Sequence, residues 1–256
     1  MTEPIAVPRL FVPPIPLVGL VRVGVMDAEL AALLSLTVEG GIPAVVAGAS
    51  AAHRRDLRDA LRACLPTAKK IVRLAGADED FAWMPEAGEL GWRSGRPTLP
   101  GTPAATMTAE LEDGDPSATW GEAAHLAIRA LTAGYSLLAT AQGSRLEEVL
   151  ERLSVPPVSA IDDELARLGV VVVLDERTSR VVAVHYLRPV ARDPGGHVQR
   201  LPPAVLAVWS PASGRFDHFA WGVTAELAGR SGRRPLDFEQ EQARRAAAME
   251  AAASSA

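Results

Sequence analysis

Residues 42–65 constrain the fold more than any other stretch. Ala44 to Ala47 is a short apolar run with two β-branched residues, the pattern of a strand buried on both faces. Gly48 to Ala52 are small turn-formers. From Arg54 onward, Leu57, Leu61, Cys64 and Leu65 recur at helical spacing, with Arg58, Asp59 and Arg62 on the opposite face. Strand, tight turn and helix together are the setting of a phosphate-cradling loop, G-x-x-x-x-G-K-[ST]. In such a loop glycines let backbone N–H groups close on phosphate oxygens, the lysine meets the β/γ-phosphates, and the hydroxyl holds Mg²⁺. Laid on this chain, the pattern falls on Gly48-Ala-Ser50-Ala-Ala-His53-Arg54-Arg55. The first glycine survives. His53 puts a ring where backbone should approach, Arg54 exchanges a slim ammonium for a planar fork, and Arg55 removes the metal-binding hydroxyl.

Elsewhere the composition mainly excludes. A chain of 256 residues with 48% apolar content can bury a large core, as one domain or as a domain with an appendage. Its longest apolar stretches fall short of a membrane span, and Met1-Thr-Glu-Pro lacks the charged start of a secretory signal. A single cysteine, Cys64, forms no intramolecular disulfide, and the histidines at 53, 125, 185, 197 and 218 have no metal-ligand spacing. A net charge of −5 argues against a general nucleic-acid binder.

The order of elements alternates strands and helices. Prolines 4, 8, 13, 14 and 16 predict an extended N-terminal segment over 1–26. Asp27 is placed to cap a helix with the stripe Leu30, Leu33, Leu34 and Val38, stopped by Gly40-Gly41. Lys70–Leu74 reads as a strand. Between Ala75 and Trp120 the pattern dissolves, and a stretch this long holds either unrecognised elements or a surface excursion. A helix then ends at Gly134, Ser136–Thr140 is a strand, and Ser144 with Glu147 reads as a capping box. Val170–Leu174 and Val181–Leu187 form a hairpin, and Ala204–Trp209 with Arg215–Trp221 form a second. The alanine-rich tail from Asp237 reads as a polar helix, on the surface or in a subunit contact.

Residues 122–142, Glu-Ala-Ala-His-Leu-Ala-Ile-Arg-Ala-Leu-Thr-Ala-Gly-Tyr-Ser-Leu-Leu-Ala-Thr-Ala-Gln, carry a resemblance. They are similar to the segment of type II/IV secretion and Tad/type IV pilus-assembly ATPases (the VirB11/PulE/CpaF-like group) that runs Glu-Thr-Ala, Ala-x-Arg-Ala, Leu-Thr-Gly-His, a strand, then Thr-x-His. Without a gap, Glu122, Ala124, Ala127, Ile128, Arg129, Ala130, Gly134, Leu138 and Thr140 match. The resemblance extends over 10–190, poorly across 75–120, and the family's separate N-terminal domain is expected to be missing.

It implies an α/β, RecA-like P-loop NTPase fold with a mainly parallel central sheet over 27–190. Residues 191–256 would add a C-terminal β-hairpin extension and the alanine-rich helix. It implies a pocket at the strands' carboxyl ends, with Gly48, Ser50, His53, Arg54 and Arg55 at the nucleotide-binding position and Glu122 and Gln142 as candidate catalytic groups. An active member would need ATP and Mg²⁺; no metal ligand is identified here. The departures are concentrated in the machinery. Besides the loop, the family's two histidines fall on Tyr135 and Gln142, and Leu111–Ser117, where its acid-bearing Walker-B strand should end, reads as neither apolar nor strand-like. Plain roles also remain open: solvated arginines at 54 and 55, helix capping for Glu122, a strand end for Gln142, an exposed His125.

The reading is therefore a degenerate, non-hydrolysing relative acting as a structural or regulatory subunit. An active motor with an atypical P-loop is the alternative, and an anion-binding relic a weaker third. Expected partners are other subunits of a secretion or pilus assembly, including an active paralogue, in a homo- or hetero-oligomer. No nucleic acid and no direct membrane insertion are expected. The place implied is the cytoplasm, peripheral to the inner membrane through partners.

Overall fold

The computed structural model describes residues 11–93, 105–192 and 198–255. Helices α1 (Ile15–Arg22) and α2 (Ala28–Glu39) precede strand β1 (Ala44–Ala47) and helix α3 (Ala51–Arg62). Strands β2 (Ile71–Arg73) and β3 (Thr106–Leu111) follow, then α4 (Gly121–Arg129), β4 (Ser136–Ala141), α5 (Leu146–Ser154) and the short α6 (Asp162–Leu165). Next come β5 (Val170–Leu174), β6 (Val181–Tyr186) and the two-residue strands β7 (Ala191–Arg192) and β8 (Val198–Gln199). The hairpin β9 (Ala204–Ser210) and β10 (Arg215–His218) leads to α7 (Thr224–Arg230) and α8 (Pro235–Ser254).

Eight strands form one sheet in the order β10-β9-β6-β5-β1-β4-β3-β2. From β5 to β2 every pairing is parallel; β6, β9 and β10 join antiparallel. This is the expected α/β class with a mainly parallel central sheet, and the C-terminal hairpin extends it.

Both faces are covered, which is why β1 reads as an unbroken apolar run. Val45 and Ala47 enter a core with Leu126, Val149 and Leu165 of α4, α5 and α6. Ala44 and Val46 enter the opposite core with Leu30, Leu57, Leu227 and Phe238 of α2, α3, α7 and α8. Strand β5 divides likewise, Val171 and Val173 to the first core and Val170, Val172 and Leu174 to the second.

Four sequence expectations change. The segment expected to be extended over 1–26 contains α1, whose Leu17 is fully buried against α2 and α8; Pro14 and Pro16 start this helix because its first turn needs no backbone donor. Residues 191–256 are not set apart from 27–190, since β9 pairs with β6 in the same sheet. The tail helix α8 lies on α2 and is no mere surface helix: Arg245 is buried, its Nη2 2.5 Å from Glu39 Oε2 and its Nε 2.8 Å from Glu241 Oε1. Arg244 and then Arg245 hydrogen-bond the Glu241 carboxylate and hold its pKa down to about 2. The capping box at Ser144 forms differently, because Glu148, one residue further on, accepts from the Ser144 backbone N–H and hydroxyl.

The stretch 75–120 contains β3, hidden from the sequence by its buried threonines: Thr106, Thr108 and Glu110 lie on one face, Met107, Ala109 and Leu111 in the core. Ahead of it, the buried Glu79 carboxylate accepts from the Ala75 and Phe81 N–H groups and Trp83 Nε1. It thereby organises an aromatic cluster in which Phe81 meets Trp92 edge-on at 4.9 Å. Glu79, the middle residue of Asp78-Glu79-Asp80, thus serves this packing.

Gly169 fixes how β5 enters beside β1. Its φ is +71°, and an added Cβ would lie 2.4 Å from the Pro43 carbonyl oxygen, which accepts the Val170 N–H. Gly134 also has a left-handed φ, +89°, but open space around it. Gly134→Ala is expected to cost about 1 kcal/mol in urea unfolding. Gly169→Ala adds a backbone collision and is expected to cost at least about 2 kcal/mol more.

Candidate functional site

Parallel register assembles the corner. Ala47 of β1 and Leu111 of β3 are both aligned with Ala141 of β4. One residue further on, Gly48, Glu112 and Gln142 leave the sheet together at the carboxyl ends, the edge where open α/β sheets bind ligands. Helix α3 starts over the same edge.

The turn from β1 into α3 is three residues long, Gly48-Ala49-Ser50, because the helix is under way at Ala51. Ser50 is its N-cap and accepts from the His53 N–H at 3.4 Å. His53, Arg54 and Arg55 therefore sit in the first turns of a helix rather than on a wrapping loop.

Arg54 fills the corner. It is 1% exposed and reaches back under the turn. Its Nη1 donates to the Gly48 carbonyl at 2.5 Å and the Ala49 carbonyl at 2.9 Å, and its Nη2 donates to Glu112 Oε2 at 2.6 Å. The other Glu112 oxygen accepts from Gln142 Nε2. A phosphate cradle needs backbone N–H groups facing inward; this turn directs carbonyls inward onto a cation. Burial lowers the pKa of Arg54, with Glu112 pulling the other way. The pairing is what makes a buried guanidinium tolerable.

Arg55 makes the second pair. Its Nε and Nη2 both reach Glu110 Oε2, at 2.8 and 2.6 Å, and Arg58 Nη1 approaches Oε1 at 3.4 Å. The Arg55 hydrogen bond, ahead of its charge and that of Arg58, holds the Glu110 carboxyl below the usual range.

The candidate residues thus divide. Gly48, Arg54 and Gln142 meet around Glu112, and Arg55 stands next to Arg54 on Glu110. Ser50 caps. His53 is half-buried, with Nδ1 buried and unpartnered. Glu122 lies exposed on the first turn of α4, and among the described residues no hydrogen bond or ion pair ties it to the corner. The plain expectation of solvated arginines fails for Arg54, because β3 supplies a carboxylate that the sequence did not place. His125 is likewise not an exposed helix residue: Glu164 of α6 and Arg129 lie 3.0 and 2.9 Å from its Nε2. Tyr135, a position that the sequence resemblance aligns with histidine, donates to Glu86 at 2.7 Å.

Glu110 and Glu112 are the site residues the sequence reading missed. The signal was available in the alternation from Thr106 to Leu111 followed by an acid, but the threonines disguised a buried strand.

No protein-family profile matches the chain, and no curated protein does. Among solved structures, the chain is similar to the VirB11 ATPase of the Brucella suis type IV secretion system, in complex with sulphate. The two are 20% identical, with a TM-score of 0.41, over 69% of this chain and 58% of that one. This chain thus spans little more than half of that protein's length. A likeness of that looseness bears on neither activity nor partners. No described helix is long and apolar enough to cross a membrane, and no described cluster of His, Cys, Asp or Glu could hold a metal ion.

The Arg55–Glu110 pair fixes a sign for acid sensitivity. A carboxylate whose folded pKa is depressed stabilises above its unfolded pKa, about 4.3 for Glu, and that stability is lost as pH falls through the folded value. Arg55 stays protonated throughout. At pH 7, Glu110→Gln is expected to cost no more than about 1 kcal/mol, since Arg55 is 43% exposed. The gap between wild type and variant should narrow in urea titrations as pH drops below about 4; a gap that widens on acidification contradicts the assignment.

Proposed function

We propose that this chain is a non-hydrolysing relative of the secretion and pilus-assembly ring ATPases, serving as a structural or regulatory subunit. The observation that carries the reading is the pairing of Arg54 with Glu112 inside the β1–α3 corner. Phosphoryl transfer is almost wholly positioning and charge neutralisation, by backbone N–H groups, a lysine and Mg²⁺. Here the cation at the lysine position is spent on an internal carboxylate, and Glu112 and Glu110 are each held by an arginine. The three-residue turn offers inward carbonyls to Arg54. Binding a triphosphate would require extracting Arg54 from Glu112 and from two carbonyls, then rebuilding the turn.

The kinship itself is supported by the gapless match over 122–142 and by the strand-to-helix corner at the carboxyl end of β1. On this reading ATP and Mg²⁺ are not resident cofactors, and Gly48, Ser50, His53, Arg54 and Arg55 are a closed remnant of a nucleotide site. Gln142 supports Glu112 in place of any catalytic task, and Glu122 favours the start of α4. Partners would be other subunits of such an assembly, an active paralogue among them, in an oligomer that is cytoplasmic and reaches the inner membrane only through those partners.

The test is calorimetric titration of the full chain with ATP and Mg²⁺, with a phosphate-release assay alongside. The expected outcome is no saturable binding below about 1 mM, roughly 4 kcal/mol of affinity at most, and no turnover. Magnesium-dependent hydrolysis abolished by Arg54→Ala would overturn the reading and establish a motor with an unusual loop.

A further inference from the structure

Helix α3 lies on β1 and β4, and the sheet continues past it to β3 and the edge strand β2. On that side a cleft of about 460 Å³ is left between the helix and the strands. Its floor is Thr108 and Glu110 of β3 with Ile71 and Arg73 of β2; one wall is the face of α3 bearing Arg55, Arg58 and Arg62. Parallel sheets are ordinarily covered on both faces, yet here Ile71 is 40% exposed and Arg73 is exposed beside it.

The charge of this shelf runs against that of the chain. Four arginines face two acids, Asp59 and Glu110, in a protein of net charge −5. Internal pairing consumes only part of the positive charge. Arg55 is taken by Glu110, and Arg58 is shared between Asp59 and Glu110. Arg62 has a single loose approach of 3.8 Å to Asp59, and Arg73 has no ion pair among the described residues. The two under-used guanidinium groups come from different elements, Arg62 from the helix and Arg73 from the floor strand, with exposed Ile71 two residues before Arg73 on β2.

We propose that this shelf is a docking site for an acidic, extended segment of a partner protein. Guanidinium groups on the wall and on the floor are suited to carboxylates, which they grip bidentately. An acidic segment laid along the cleft can place carboxylates against Arg62 on the helix and Arg73 on the floor, while an apolar side chain on its inward face covers Ile71. A nucleic-acid track fits less well: no aromatic side chain lines the shelf for base stacking, and Glu110 and Asp59 interrupt the positive path. Two spare cations also fall short of the phosphate contacts that support non-specific binding. The inference does not depend on whether the neighbouring corner takes nucleotide.

The probe is a fluorescein-labelled octapeptide of alternating Leu and Glu, titrated with the full chain by fluorescence anisotropy at low and moderate salt. Saturable binding that weakens with salt is expected. The double variant Arg62→Ala/Arg73→Ala should weaken it at least tenfold, while Arg177→Ala, on the exposed β5–β6 turn, should leave it unchanged. Both altered arginines are exposed, so circular dichroism melts should coincide with wild type; if they do not, Arg62→Gln/Arg73→Gln repeats the test with the stems retained. The proposal is overturned by absence of peptide binding, by equal binding to the double variant, or by tighter binding of a labelled oligothymidylate of matched charge.

Discussion

A guanidinium buried to 1% exposure must be given acceptors and an opposite charge, and most of the corner's geometry follows from meeting that demand at Arg54. Isolated, such a charge would cost several kcal/mol. The turn after β1 therefore presents two carbonyls, the residue after β3 supplies a carboxylate, and the residue after β4 steadies that carboxylate from its other side. Those three groups arrive together because β1, β4 and β3 end in register. Each strand alone would place its last residue in solvent; as parallel neighbours they converge on one guanidinium. The neighbouring Arg55–Glu110 pair repeats the arrangement one residue along α3 and in a more solvated place.

The same arrangement has a functional consequence. Charges that a nucleotide site keeps available for phosphate and metal are here satisfied by one another, so an incoming anion must compete with an internal carboxylate at 2.6 Å. The surrounding fold has no need of that exchange. Its stability comes from two cores on either side of the sheet. The basic shelf beside β2, next to the same helix, is one surface that a structural or regulatory subunit could use.

What the sequence revealed depended on whether burial and pattern agreed. Strands β1 and β5 were legible as continuous apolar runs because both their faces are covered, and α2 was legible from its Asp27 cap and leucine stripe. The helical start at Ala51 was obscured by Ala51 and Ala52, small residues equally at home in a turn, and this shifted the corner from an imagined loop to a helix end. Strand β3 was hidden because Thr106 and Thr108 are polar yet 1% and 7% exposed. With β3 unseen, Glu110 and Glu112 could not be placed, and Arg54 looked like a solvated cation. The packing of α8 was also hidden, since an alanine-rich helix announces no apolar stripe and its anchor on α2 is a buried arginine.

The claim on which the rest depends is that Arg54 and Glu112 act as one unit, and a double-mutant cycle measures this directly. Arg54→Met, Glu112→Gln and the double variant are compared with wild type by urea unfolding at pH 7. If the pair locks the corner, either single change strands its partner, a buried Arg54 or a partly buried Glu112, and the double variant recovers much of the loss, giving a coupling energy of about 2 kcal/mol or more. Additivity within about 0.5 kcal/mol would contradict the account, since it would mean that the two side chains occupy the corner without depending on each other.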